Sequence, residues 1–194
     1  MTEICVQVND NIEKVKQCLE QLGYKFIEQY FNHDTYFTTF DREEIKKVSY
    51  KELLKNSVII RNITGKNLDK KYIIYKNKQL DDNGNIIDEV KEKLVIDDIQ
   101  KAKNIFSHLG LTNWCDYVNE NNEYKKGEVC LIIQCVKGLE SFIEVEEFEA
   151  IKNKSKEEKF EILENLIKSF GLKLGTDYSC KKPFMLLKID RDIA

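Results

Sequence analysis

The stretch SFIEVEEF, Ser141 to Phe148, does most to limit what this chain can fold into. Its β-branched and aromatic residues suit a strand, and in a strand residues two apart share a face. Glu144 and Glu146 therefore project from one face with Phe142 and Phe148, while Ile143 and Val145 point the other way. MTEICVQV at the start alternates in the same manner: Ile4, Val6 and Val8 oppose Glu3, Cys5 and Gln7. Strands with an apolar back and an acidic front need cover behind and a polar space in front. A large antiparallel sheet meets both needs when it closes into a wide barrel with helices packed outside.

The rest of the chain fits an α+β reading. NDNIEKVKQCLEQLG predicts a helix with the stripe Ile12, Val15, Cys18, Leu19 and Leu22, capped at Asn9 or Asn11 and stopped by Gly23. YKFIEQYF and TYFTTF read as strands, with NHD between them as a hairpin turn. NSVIIRNI and KKYIIYK follow as strands around TGKNLD. An Asn-Gly turn in LDDNGNII then leads to EVKEKLVI. DDIQKAKNIFSHLG predicts a second helix, TNWCDYVNENNEYKKGEVCLIIQCV a long hairpin, and KSKEEKFEILENLIKSFG a third helix with Phe160, Leu163, Ile167 and Phe170 on one side. Pro183 falls in an irregular or helical tail.

NIEKVKQCLEQLGYKFIEQY aligns without gaps to DIQKAKNIFSHLGLTNWCDY, matching Ile12 to Ile99, Gly23 to Gly110 and Tyr30 to Tyr117. The expectation is a single domain over 1–194 built from two similar halves, about 1–96 and 97–194. About eight strands with helices give an eight-stranded antiparallel barrel or tunnel.

The net charge of −3 leaves no overall polyanion-binding surface, and no basic stripe interleaves with aromatics, so nucleic acid is not an expected partner. Six cysteines without C-x-x-C spacing, and two histidines, argue against zinc. No basic-then-apolar segment opens the chain and no run of 18 apolar residues occurs, so neither signal peptide, membrane span nor membrane partner is expected. A cytoplasmic protein is the expectation.

In this order of features the chain resembles the CYTH superfamily, the triphosphate tunnel enzymes, and among them the class IV adenylyl cyclases. The anchors are DTYF (Asp34 to Phe37), the strand carrying Arg61, Tyr75-Lys76, the helix ending in Leu-Gly, and above all VKGLESFIEVE with Val136, Gly138, Leu139, Phe142, Glu144 and Glu146. The tail GLKLGTDYSCKKPFMLL is similar to the end of the cyclase branch, with Cys180 where tyrosine is usual. The resemblance implies a barrel in which carboxylates hold Mg²⁺ or Mn²⁺ and basic side chains grip a triphosphate. It implies Glu144 and Glu146 as catalytic residues, Glu3, Glu144 and Glu146 as metal ligands, and Arg61 and Lys76 as substrate contacts. A homodimer fits the family's habit.

The motif is thinned. The family's Glu-x-Glu-x-Lys reads Glu3, Cys5, Gln7. Arg61 lacks a second arginine two residues away, a later Lys-x-Arg falls at Asn119 and Asn121, and Gln134 replaces an aspartate. Glu92 is the best match to the acidic pair of the middle strand. Losing cations and carboxylates together keeps a polar lumen neutral, which avoids the cost of unpaired buried charge. Two functions follow from different classes: a metal-dependent adenylyl cyclase or triphosphatase, with activity reduced, or a non-catalytic module for a nucleotide or another phosphorylated ligand. By the residues alone, Arg61 suits either a lumen role or a structural ion pair. Asp34 and Tyr36 suit hairpin support, His33 and His108 the surface, and Trp114 packing.

Overall fold

The computed structural model describes residues 2–80 and 86–190; the side chains of 51, 54, 76–80, 86–90 and 188–190 lie outside the described residues. The strands are β1 (Glu3–Val8), β2 (Lys25–Thr38), β3 (Ser57–Gly65), β4 (Asp69–Leu80), β5 (Ile86–Val95), β6 (Thr112–Lys126), β7 (Val129–Val136) and β8 (Ser141–Glu146). The helices are α1 (Ile12–Gln21), α2 (Arg42–Ile45), α3 (Tyr50–Lys55), α4 (Ile99–His108), α5 (Lys156–Lys168) and α6 (Lys182–Asp190).

The strands form one eight-stranded sheet in the order β1-β8-β7-β6-β2-β3-β4-β5. The α+β class stands. The pairings run from β1 at one end of this order to β5 at the other and do not close, so they establish the sheet and not the expected barrel. The residues of the Asn-Gly turn lie outside the described ones. The NHD hairpin is corrected: β2 runs unbroken through Asn32, His33 and Asp34. His33 and Asp34 find long-range partners there, Asp116 and Arg61, so neither side chain needs a turn to satisfy it.

The chain divides into two compact units, 1–30 with 119–182, and 31–118 with 183–194, each drawn from both sequence halves. In the first, Ile4, Val6 and Val8 of β1 pack with Leu131, Ile133, Ile143 and Val145, covered by Val15 and Leu19 of α1 and Leu163 and Ile167 of α5. The apolar backs of β1 and β8 thus face helices, as their alternation requires. Phe160, the N-terminal member of the expected stripe on α5, is 37% exposed. In the second unit, Phe37 and Ile60 pack with Ala102 and Phe106 of α4, with Phe37 and Phe106 edge-to-face at 5.2 Å.

The internal echo is visible in the backbone. α1 and α4 start and end 87 residues apart and are capped at matching positions, Asn11 and Asp98. Each buries the same two positions, Val15 with Leu19 and Ala102 with Phe106. Both end on a leucine followed by a left-handed glycine, Gly23 at φ 84° and Gly110 at φ 77°. The next residue's N–H returns to the helix, Tyr24 to Leu19 O and Leu111 to Phe106 O, both at 2.9 Å.

Candidate functional site

Antiparallel pairing of β1 with β8 sets Glu3 opposite Glu146, Cys5 opposite Glu144 and Gln7 opposite Phe142. Because opposed residues share a face, the acidic fronts of both strands project together. Carboxylate oxygens of Glu3, Glu144 and Glu146 all lie within 4.8 Å of one another. The structure thus brings the three expected metal-ligating residues into one cluster within the first unit.

Beside it lies a residue that the sequence did not reveal. Lys182, at the start of α6, is 8% exposed. Its Nζ is 3.6 Å from Glu144 Oε2 and 3.5 Å from Cys5 Sγ, and it donates to Gln134 Oε1. Gln134 Nε2 in turn donates to Glu144 Oε2 at 3.1 Å. Burial opposes the charge on Lys182, but Cys5, Glu144 and Glu3 favour it more, and its pKa is raised. Burial pushes the Cys5 thiol up to about 12, with Lys182 pulling down and Glu144 pushing up. The thiol is therefore neutral at pH 7, and the carboxylates supply the ammonium's counter-charge. The tail reaches this place through backbone bonds to β1, Cys5 N–H to Tyr178 O and Cys180 N–H to Cys5 O, both at 3.0 Å. In sequence Lys182 is one more lysine next to Pro183; only the match of the tail to the cyclase branch hinted at it.

The expected substrate contacts belong to the second unit. Arg61 donates through Nε and a terminal nitrogen to the two Asp34 oxygens, each at 2.6 Å. Asp34 is 1% exposed. Burial opposes the guanidinium's charge, but Asp34 beside it prevails and raises its pKa. Asp34 is thus no hairpin support but the buried partner of Arg61. Tyr36 and Tyr117 stack at 6.2 Å between centroids, and burial first, then neighbouring groups, raise both phenols. Trp114 packs on Tyr36 at 5.2 Å and donates to Ser57 Oγ at 3.0 Å, the packing role expected. Lys76 lies in β4 opposite Lys91; its side chain falls outside the described residues. Glu92, opposite Tyr75 in β5, is exposed. His33 has a partner after all, Asp116, which also accepts from Thr35 Oγ1 at 3.0 Å.

No protein-family model matches the chain. A Methanocaldococcus jannaschii protein named "Putative adenylate cyclase" is 30% identical over 189 residues, 96% of this chain and 97% of that protein. The chain belongs to the CYTH superfamily, in its class IV adenylyl cyclase-like branch. Solved structures agree in fold. A Pyrococcus horikoshii protein matches with TM-score 0.72 at 17% identity, covering 96% of this chain and 99% of that one. A Hippeastrum protein, described as a putative adenylyl cyclase with a dominant triphosphatase activity, matches with TM-score 0.63 at 15% identity, covering 97% and 95%. Within this CYTH chain the carboxylates of β1 and β8 are gathered as the family resemblance implies. Cys5 and Gln134 stand next to them as neutral members of the network around Lys182.

Proposed function

We propose that the chain is a class IV adenylyl cyclase-like catalyst acting on a nucleoside triphosphate or another triphosphate, in the cytoplasm, with Mg²⁺ or Mn²⁺. The observation that carries this reading is the convergence of Glu3, Glu144 and Glu146 within 4.8 Å. Hard divalent cations take oxygen ligands, and Mg²⁺ is typically held by a few carboxylates together with substrate phosphates. An all-carboxylate set fits that requirement. A bound cation there would supply polarisation of phosphoryl oxygens and neutralisation of their charge.

The chain's own residues do the positioning. Gln134 and Lys182 bind the same Glu144 oxygen and so fix the orientation of that carboxylate. Lys182, charged and nearly buried, offers a strong N–H donor to a phosphate oxygen at the edge of the cluster. Glu146, or Glu144 itself, serves as the base toward the attacking hydroxyl or water. Arg61 and Lys76 enter the proposal as phosphate contacts on the family resemblance alone, and Arg61 must exchange Asp34 for phosphate to act.

A second reading, a non-catalytic module for a nucleotide or other phosphorylated ligand, is favoured by the neutral amides Asn119, Asn121 and Gln134. They occupy the same sheet face as Glu144. Chromatography of products separates the two after incubation with Mg²⁺ or Mn²⁺ and, in turn, ATP and inorganic triphosphate. Cyclic AMP with pyrophosphate, abolished by Glu144→Ala, supports cyclisation, and orthophosphate under the same control supports hydrolysis. No product at high enzyme concentration overturns catalysis, and metal-independent ligand binding then supports the module.

A further inference from the structure

The amide side chains of β6 carry an acceptor that the protein does not use. Asn119 is 4% exposed and Asn121 is fully buried. Asn119 Nδ2 donates to Asn121 Oδ1 at 3.1 Å. Asn121 Nδ2 donates to the backbone oxygens of Asn119, at 2.9 Å, and Tyr30, at 3.4 Å. This chain of bonds fixes which way each amide points. Asn119 Oδ1 is left buried with no hydrogen-bond partner among the described residues. Buried polar atoms without a partner are rare, and each calls for an explanation.

Register locates that oxygen relative to the carboxylate cluster. Asn121 opposes Gln134, and Gln134 opposes Phe142, so both asparagines share a face with Gln134, Phe142 and Glu144. Asn119 stands one strand across and two residues along from Gln134, which places it roughly 8 Å from the residue that holds Lys182. A phosphate near Lys182 would therefore leave the sugar or base of the same ligand within reach of Asn119. Phosphate oxygens are acceptors, as Asn119 Oδ1 is, so this position repels a phosphate chain and suits an O–H or N–H.

We propose that Asn119 is a specificity-determining residue whose side-chain oxygen accepts a hydrogen bond from the nucleoside part of the ligand. The site then takes a nucleotide and discriminates against a bare phosphate chain. This rests on the reading of the first unit's cluster as a phosphate site.

The test is calorimetric titration of the full chain and of Asn119→Leu with ATP and with inorganic tripolyphosphate, with melting curves to establish folding. Expected are tighter binding of ATP than of tripolyphosphate by the unaltered protein, about a tenfold loss for ATP in the variant, and less than twofold change for tripolyphosphate. Equal losses for both ligands, or none for either, overturn the proposal; the latter is the result if Asn119 serves only water. Preference of the unaltered protein for tripolyphosphate overturns it without any variant, even where Asn119→Leu does not fold. If the unaltered protein binds neither ligand, the phosphate-site reading fails and takes this inference with it. Binding of both with no change at Asn119 defeats the inference alone.

Discussion

The two units treat charge in opposite ways on the sheet faces opposite α1 and α5 in the first and α4 in the second. In the second, Arg61 and Asp34 are matched one to one through a two-pronged fork. In the first, three carboxylates crowd within 4.8 Å and Lys182 contacts one of them. A matched fork uses up its donors and acceptors and has little left for a ligand. A crowd of carboxylates is costly unless a cation joins it, so it gains from binding. The difference separates a matched pair, whose Arg61 must give up Asp34 before it can hold a phosphate, from a crowd of like charge, although both set carboxylates beside a cationic side chain.

The strongest challenge to this contrast is Asp34→Ala. It leaves a partly buried guanidinium, its side chain 25% exposed, without its counter-ion and should lower unfolding free energy by about 3 kcal/mol in urea titrations. Adding Arg61→Met should restore most of that loss. A single variant that loses less than about 1 kcal/mol would show that the pair is not structural. Glu144→Gln probes the other side: it keeps the side chain's shape and should cost less than about 1 kcal/mol. If the cluster holds Mn²⁺, the ion should raise the melting temperature of the unaltered protein, and that rise should disappear in the variant. Persistence of that rise would remove Glu144 from the metal-binding set.

The strands of the cluster were legible because a period of two is a local signal. Alternation in β1 and β8 told which residues face the helices, and the VKGLESFIEVE match singled out Glu144 and Glu146. What the sequence withheld was set by long-range pairing. Lys182 is buried only because residues 178–180 lay their backbone against β1. NHD has turn composition, yet Asp34 answers Arg61 and His33 answers Asp116, 83 residues on. Tertiary partners there outweigh local preference. Arg61 reads alike as a phosphate contact or a structural ion until its partner is seen.

Smaller effects sharpen the comparison at its edges. Burial pushes the Asp116 carboxyl up, but His33 and Thr35 prevail, and its pKa is lowered. Its contribution to stability is therefore present above about pH 3.9, the ordinary carboxylate value, and is lost as pH falls through the lowered one. His33→Ala should cost a few tenths of a kcal/mol at pH 5, since the side chains are 44% and 41% exposed, and the two proteins should converge in acid. Last, with burial pushing its thiol up to about 12, Cys5 should carry almost no thiolate at pH 8. A disulfide reagent should leave it unmodified in the native protein; rapid labelling would show that the network around Lys182 opens.

The joint that recurs after 87 residues behaves as an interchangeable part. Residues 98–111 grafted onto 11–24 would meet the same cap position, helix length, left-handed glycine and returning N–H. Nine of the fourteen side chains would differ, among them the buried ones, with alanine, phenylalanine and leucine arriving where Val15, Leu19 and Tyr24 now sit. The backbone at these two joints is thus a common template, and each copy's individuality is written in its side chains.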